Sequence, residues 1–144
     1  MRFWMSILAI LVIDQGSKQW IMHSLQVGES KVLIPGILNL TYAQNIGAAF
    51  SLMEGKVWLF VLIAIGVIAG AVVYYYSRKV LNIEAYAMGL IAGGALGNVI
   101  DRVAYGSVVD FFSIGWWPVF NVADMAIVSG GILLMIYVIK SKAS

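Results

Sequence analysis

Residues 57–76 read VWLFVLIAIGVIAGAVVYYY, twenty positions without a charge. At roughly 1.5 Å of rise per residue, a helix of that length spans about 30 Å, the thickness of a bilayer's hydrocarbon core. Three more runs of this kind flank it. Val119 to Ile139 is apolar apart from Asn121, Asp124 and Ser129. Ala85 to Val103 is rich in glycine and carries Asn98, Asp101 and Arg102 towards its end. Phe3 to Met22 holds Asp14 and Lys18 in its second half. This earliest run follows Arg2 as the core of a signal peptide would, but no small-residue cleavage site follows it, so it reads as a retained helix. Four runs predict an all-α integral membrane fold, a four-transmembrane-helix bundle in one domain covering 1–144.

Composition agrees. Of the 144 residues, 62% are hydrophobic and 11% charged, against about 25% charged in ordinary soluble domains. The formal net charge of +2 gives no support to a nucleic-acid partner. The basic residues mark topology instead. Arg2, Arg78, Lys79, Lys140 and Lys142 fall on one side of a four-span arrangement. Lys31 and Lys56 fall on the other, offset by Glu29 and Glu54. The excess of Lys and Arg predicts cytoplasmic termini. Trp58, Tyr74 to Tyr76, Trp116 and Trp117 fit as interface anchors.

Two segments then lie outside. In 23–56, Leu38, Leu40 and Tyr42 alternate with Asn39, Thr41 and Ala43, a strand period. Pro35-Gly36 marks a turn between that run and KVLI. The pattern predicts a small extracytoplasmic β-sheet between helices 1 and 2. The segment 104–118 reads as a loop or short interfacial piece.

The chain has no cysteine and one histidine, His23. That excludes thiol nucleophiles, disulfides and His/Cys zinc sites. No GxSxG or HExxH occurs, and the residues call for no metal or other cofactor. Carboxylates, lysines, hydroxyls and Arg102 remain as chemistry.

Depth brings these groups together. Asp124 is expected five residues into its span, roughly 8 Å below the outer end, with Asn121 one turn above on the same face. Asp101 and Arg102 lie at the outer end of the third span, Asn98 a turn deeper. Asp14 and Lys18, spaced i and i+4, share one face of the first. All fall in one layer under the outer surface. A charge at the centre of a span costs about 2.5–3.5 kcal/mol, so such groups face the bundle interior and are functional candidates.

Structural explanations compete for several of them. Asp14 with Lys18 fits an ion pair at a helix end. Asn98, Asp101 and Arg102 fit packing support, and Gly89, Gly93 and Gly97 form a helix-packing stripe. Asp110, between Val108-Val109 and Phe111-Phe112, and Asp124, with no base on its own helix near it, are hardest to explain that way. Two carboxylates sharing a proton can activate water for peptide hydrolysis. A small membrane transporter or channel subunit is a rival, but its polar groups should run through the full depth. The inner halves of these spans hold only Ser6 and Ser129. Other intramembrane proteases would need GxGD, or a serine with a histidine partner in the membrane, which this chain lacks. A Ser17–Lys18 pair would face in different directions. On the residues alone, a non-enzymatic assembly factor stays open.

The blocks DQGSK (Asp14 to Lys18), NIGAAFS (Asn45 to Ser51), GGALGNVIDR (Gly93 to Arg102), VVDF (Val108 to Phe111) and FNVAD (Phe120 to Asp124) occur in this order. Together the chain resembles the lipoprotein signal peptidases, the bacterial type II signal peptidases, across all four spans and both outer segments. The resemblance implies an aspartyl endopeptidase of the bacterial cytoplasmic (inner) membrane. It would remove the signal peptide from diacylglyceryl-modified prolipoproteins, on the amino side of the lipidated cysteine. It implies Asp110 and Asp124 as the catalytic acids. Asp14, Asn45, Asn98, Arg102 and Asn121 match the polar residues around the family's site, and Asp101 matches with a structural role. Lys18, Gly47 and Ala123 are expected to support the site or its substrate. The expected partners are lipid-modified signal peptides and membrane lipid, with the enzyme a monomer. The outer sheet and NIGAAF could clamp the substrate, with Gly47-Ala48-Ala49 leaving room for close approach.

Overall fold

In an apolar medium the backbone has no water to bond to, so long apolar runs close on themselves as helices. The computed structural model describes residues 1–47 and 57–143. It has four helices: α1 (Arg2–Ser24), α2 (Val57–Ser77), α3 (Asn82–Tyr105) and α4 (Val122–Ala143). Among the described residues, three of them, α2, α3 and α4, are long and apolar enough to cross a membrane. α1 is not in that group, because Asp14, Gln15, Lys18 and Gln19 lower the hydropathy of its second half.

α3 is the centre of the bundle, packed against α1, α2 and α4. Glycine makes the close packing possible. A methyl group at Gly89 would lie 2.7 Å from the Phe3 carbonyl oxygen and 2.7 Å from Ser6 Cβ, and one at Gly93 would lie 3.1 Å from Ile7 Cα. On another face, Gly94 is pressed against the Ala123 carbonyl oxygen, and a methyl at Gly130 would lie 2.6 Å from the Ala87 oxygen. The packing reading of the Gly89, Gly93 and Gly97 stripe therefore holds against α1, while the close approach to α4 uses Gly94 and Gly130 outside it. At Gly66 and Gly70 of α2 an added methyl group would meet no atom of the described residues within 4 Å.

The strands are β1 (Ser30–Ile34), β2 (Leu38–Asn45) and β3 (Val108–Ser113), in an antiparallel sheet ordered β1-β2-β3. β1 and β2 form the hairpin expected from KVLI and ILNLTYA, with Gly36 at φ 74 in the turn. β3 corrects the expectation for 104–118. That segment is not a loop: it supplies a third strand, so the sheet is not confined to the connection between the first two helices. Val108, Val109, Asp110 and Phe111 are all buried, so both faces of β3 are covered and no alternation marks it. Leu40, Tyr42, Val109 and Phe111 pack with Ile21 and Leu25, fixing the sheet to the last turn of α1 and the residue after it.

Two boundaries also differ from expectation. α4 starts at Val122 and not Val119, because Phe120 is taken into a β-bridge with Phe112. Its N–H donates to the Phe112 oxygen at 3.0 Å, and its own oxygen accepts the Phe112 N–H at 2.8 Å. α3 starts at Asn82 and not Ala85, with the Leu81 N–H capped by the Glu84 carboxylate at 2.9 Å.

These contacts predict unequal effects for similar changes. Gly89→Ala should lower stability by about 1–3 kcal/mol through overpacking against α1. Gly66→Ala, in open space, should be neutral or slightly stabilising. Thermal unfolding of the two variants in detergent checks the difference.

Candidate active site

The site is built in two layers, the first ionic. Asp14 and Lys18 sit one turn apart on α1, and the ammonium lies 2.8 Å from Asp14 Oδ2. The same nitrogen lies 2.8 Å from Asp101 Oδ2 on α3. It also donates to Asn98 Oδ1 at 3.1 Å. That uses all three donors of an ammonium group. Lys18, Asp14 and Asp101 are each no more than 1% exposed. Gln15 joins them, donating from Nε2 to Asp101 Oδ1 at 2.9 Å, to Asp14 Oδ2 at 3.1 Å and to the Gly97 oxygen at 3.2 Å. Gly97 is required here: a methyl group on it would come 2.5 Å from Asp14 Oδ2. Sequence reasoning missed Gln15, whose one signal was a polar residue inside a polar half-span.

Each outer acid of this triad also grips a backbone N–H elsewhere. Asp14 Oδ1 accepts the Ala123 N–H at 2.9 Å, in the first turn of α4. Asp101 Oδ2 accepts the Val109 N–H at 3.0 Å, in β3. The expected pair at a helix end is therefore a triad that locates the residues next to Asp124 and Asp110.

The second layer holds those two acids. In the sheet, Ala43 pairs with Asp110 and Asn45 with Val108. Asn45 is thus the diagonal neighbour of Asp110 on one face, and its Nδ2 donates to Asp110 Oδ2 at 2.9 Å. Gly47 is buried, and its N–H donates to Asn45 Oδ1 at 3.0 Å, fixing that amide. The Phe112–Phe120 bridge then brings Asn121 to the strand. Asn121 Nδ2 donates to Asp110 Oδ1 at 2.7 Å, to Asn98 Oδ1 at 3.1 Å and to the Val109 oxygen at 3.3 Å.

Asn121 is also the N-cap of α4. Its Oδ1 accepts the Asp124 N–H at 2.9 Å, while Asp124 Oδ2 accepts the Asn121 N–H at 3.2 Å. This reciprocal pair is a capping box. It corrects the expected depth: Asp124 is in the first turn of its helix, not five residues into a span, and Asn121 is not a turn above it on the same helix face but at its cap. The other Asp124 oxygen, Oδ1, accepts from Asn98 Nδ2 at 2.9 Å.

The two acids differ in surroundings. Asp110 is 2% exposed, whereas Asp124 is half-buried. Burial, and then the charge of Asp124, pushes the Asp110 carboxyl up to about 7, although its bonds from Asn45 and Asn121 act the other way. Asp124 accepts two N–H bonds at the positive end of α4's dipole. It borders a cavity of about 300 Å³ lined by Trp117, Phe120 and Met125. Arg102 is half-buried, with its guanidinium 5.2 Å from the centre of the Phe60 ring. It feels the charges of Asp124, Asp110 and Asp101 without an ion pair to any of them among the described residues. Ala48, Ala49, Phe50, Ser51, Glu54 and Lys56 lie outside the described residues. Among the described residues, no three His, Cys, Asp or Glu side chains are grouped as metal ligands.

The family model described as Signal peptidase (SPase) II matches residues 6–140. The lipoprotein signal peptidase of Syntrophomonas wolfei is 56% identical over 139 residues, covering 96% of this chain and 93% of that protein. The lipoprotein signal peptidase of Streptococcus pyogenes serotype M1 is 41% identical over 143 residues, covering 97% and 94%. A solved bacterial membrane enzyme has a TM-score of 0.88 at 33% identity, covering 96% of this chain and 87% of that one. A second has a TM-score of 0.85 at 34% identity, covering 94% and 91%.

Lys18→Met should be severely destabilising, because it leaves Asp14 and Asp101 buried without their cation. A loss of about 3–5 kcal/mol is expected, as for breaking any buried pair from one side. Denaturant unfolding in detergent measures it.

Proposed function

This chain belongs to the signal peptidase II family, and on that premise we propose that Asp110 and Asp124 are its two catalytic acids. It is an aspartic-type peptidase that removes signal peptides from prolipoproteins. One observation carries the assignment of the acids. Asn121 bonds both of them, Asp110 through its side-chain nitrogen at 2.7 Å and Asp124 through the capping box at 2.9 and 3.2 Å.

The different surroundings divide the labour. Asp110, pushed up to about 7, keeps a proton in a large share of molecules at neutral pH and is the acid. Asp124 is the base, open to the cavity beside it. A water between them loses a proton to Asp124 as its oxygen attacks the scissile carbonyl carbon. Asp110 gives its proton to the carbonyl oxygen, and a gem-diol forms. Asp124 then passes the water's proton to the leaving nitrogen as the C–N bond breaks, and Asp110 regains a proton from the diol. Arg102 supplies positive charge near the substrate's carbonyl or ester oxygens. Asn98 and Asn45 hold the acids, and cleavage falls on the amino side of the diacylglyceryl cysteine.

We also read α1 as a fourth span. Its charges cost little there because they face inward and are paired. Four spans in one peptidase domain then put both termini in the cytoplasm and the sheet on the outer surface, over the substrate's cleavage point. The enzyme works as a monomer, with the substrate's acyl chains left in the leaflet.

Asp110→Asn and Asp124→Asn, made separately, should each lower kcat on a lipid-modified precursor by roughly 10²–10⁴-fold. Normal turnover by either would sink the dyad. The active form needs a proton on Asp110 beside an ionised Asp124, so activity falls as pH rises through about 7. In Asp124→Asn the neighbouring charge is gone, and the Asp110 carboxyl should titrate at lower pH. Its infrared C=O band, followed against pH, reads this directly.

A further inference from the structure

The space around α3 continues well past the two acids. Glu84, Met88, Ile91, Ala95, Asn98 and Arg102 lie three or four residues apart, on one stripe of α3. α2 and α4 both pack on α3 and scarcely touch one another, so the stripe is the floor of a groove. A cavity of about 180 Å³ lies at its Asn98–Arg102 end, walled by Phe60 and Ile127. A larger one, about 400 Å³, lies at its Glu84 end, walled by Tyr74, Leu134 and Val138. Val67 and Ile91 line both cavities, so the two adjoin.

Glu84 is the residue of this groove that the reaction leaves unused. It is 6% exposed, at the far end of the bundle from Asp110 and Asp124. One oxygen caps the Leu81 N–H at 2.9 Å, and the other accepts the Tyr74 hydroxyl at 3.0 Å. The Tyr137 hydroxyl bears on the same carboxylate, which has lone pairs beyond these bonds. Glu84 takes no part in the ion pairs of Lys18 and Lys31. A cap needs no burial, and a buried carboxylate at the start of α3, at the edge of the apolar run 85–103, suits a partner that brings positive charge.

Length selects that partner. From Glu84 to Asn98, α3 rises about 21 Å. A signal peptide has a positively charged n-region followed by about 7–15 apolar residues before its cleavage region, or roughly 10–22 Å as helix. An acyl chain confined to one leaflet reaches about 15 Å and ends without charge. We propose that the groove seats the apolar segment of the substrate's signal peptide, and that Glu84 with Tyr74 forms the subsite for its cationic n-region. This rests on Asp110 and Asp124 as the catalytic acids and on cytoplasmic termini. The enzyme then selects for the spacing between positive charge and scissile bond.

The test uses the full-length enzyme in proteoliposomes. Two lipid-modified precursors differ only in the n-region, Lys-Arg in one and Gln-Gln in the other. Wild type should favour the basic precursor in kcat/KM by roughly three- to tenfold, the effect of one partly desolvated charge pair, chiefly through KM. In Glu84→Gln, which retains a capping side chain, the ratio should fall to unity. An unchanged ratio in Glu84→Gln overturns the proposal, as does a wild type without preference. Sensitivity to acyl-chain length in place of n-region charge also overturns it and gives the groove to lipid. Asp124→Asn runs in parallel. If it is inactive while Glu84→Gln keeps the preference, only the n-region subsite fails; if it is active, the dyad fails.

Should Glu84→Gln not fold, cross-linking decides. The chain has no cysteine, so Val138→Cys in an Asp124→Asn background is the enzyme's single thiol. It should form a disulfide with a cysteine placed in the precursor's n-region. A cross-link at Met5→Cys, on the exposed face of α1, and none at Val138→Cys would rule the groove out.

Discussion

Lys18 is the interaction on which the rest of the site depends. Its ammonium lies between two carboxylates from different helices and also holds the Asn98 amide. Each buried charge loses several kcal/mol of hydration, and only close pairing with full hydrogen bonding repays that. The network meets the demand: among the described residues no buried side-chain nitrogen or oxygen lacks a partner. Its second consequence is positional. Asp14 reaches the backbone of α4, and Asp101 reaches the backbone of β3. One cation on α1 therefore sets where two other elements begin, and each carries one of the proposed acids.

The Asn98 amide shows how orientation passes outward. With Lys18 and Asn121 donating to its oxygen, its nitrogen must face Asp124. The same logic fixes Asn45, whose oxygen is taken by the Gly47 N–H and whose nitrogen faces Asp110. Three amides and a strand register thus hold the two carboxyls, without an ion pair to either among the described residues. Arg102, its guanidinium 5.2 Å from the centre of the Phe60 ring, lines a cavity together with Asn98. Such fixed dipoles need no rearrangement during reaction, which is where preorganised sites gain their advantage over water.

Much of this was legible beforehand, and the misses have particular causes. The four helices follow from apolar run length, and the β1–β2 hairpin from alternation around Pro35-Gly36. The i,i+4 spacing of Asp14 and Lys18 announced a pair, but its third member comes from another helix. Hydropathy carried the fourth helix back through Val119 and Phe120, because both are apolar. Phe120 instead bonds to Phe112. The N-x-x-D pattern of Asn121 and Asp124 was a readable cap signal, masked by the apolar residues around it. VVDFFS gave no strand period because both faces of β3 are covered.

By itself the sequence determined the medium, the helices and the set of groups available for chemistry. Those follow from local composition and spacing, which a membrane reads one segment at a time. Only the tertiary structure decided that Asp110 is deeply buried on a strand while Asp124 sits half-buried at a helix start. It also decided that a single asparagine bonds both, and that a lysine on α1 anchors their supports. These depend on pairings between distant segments, settled when buried charges and backbone groups must each find a partner in one shared interior.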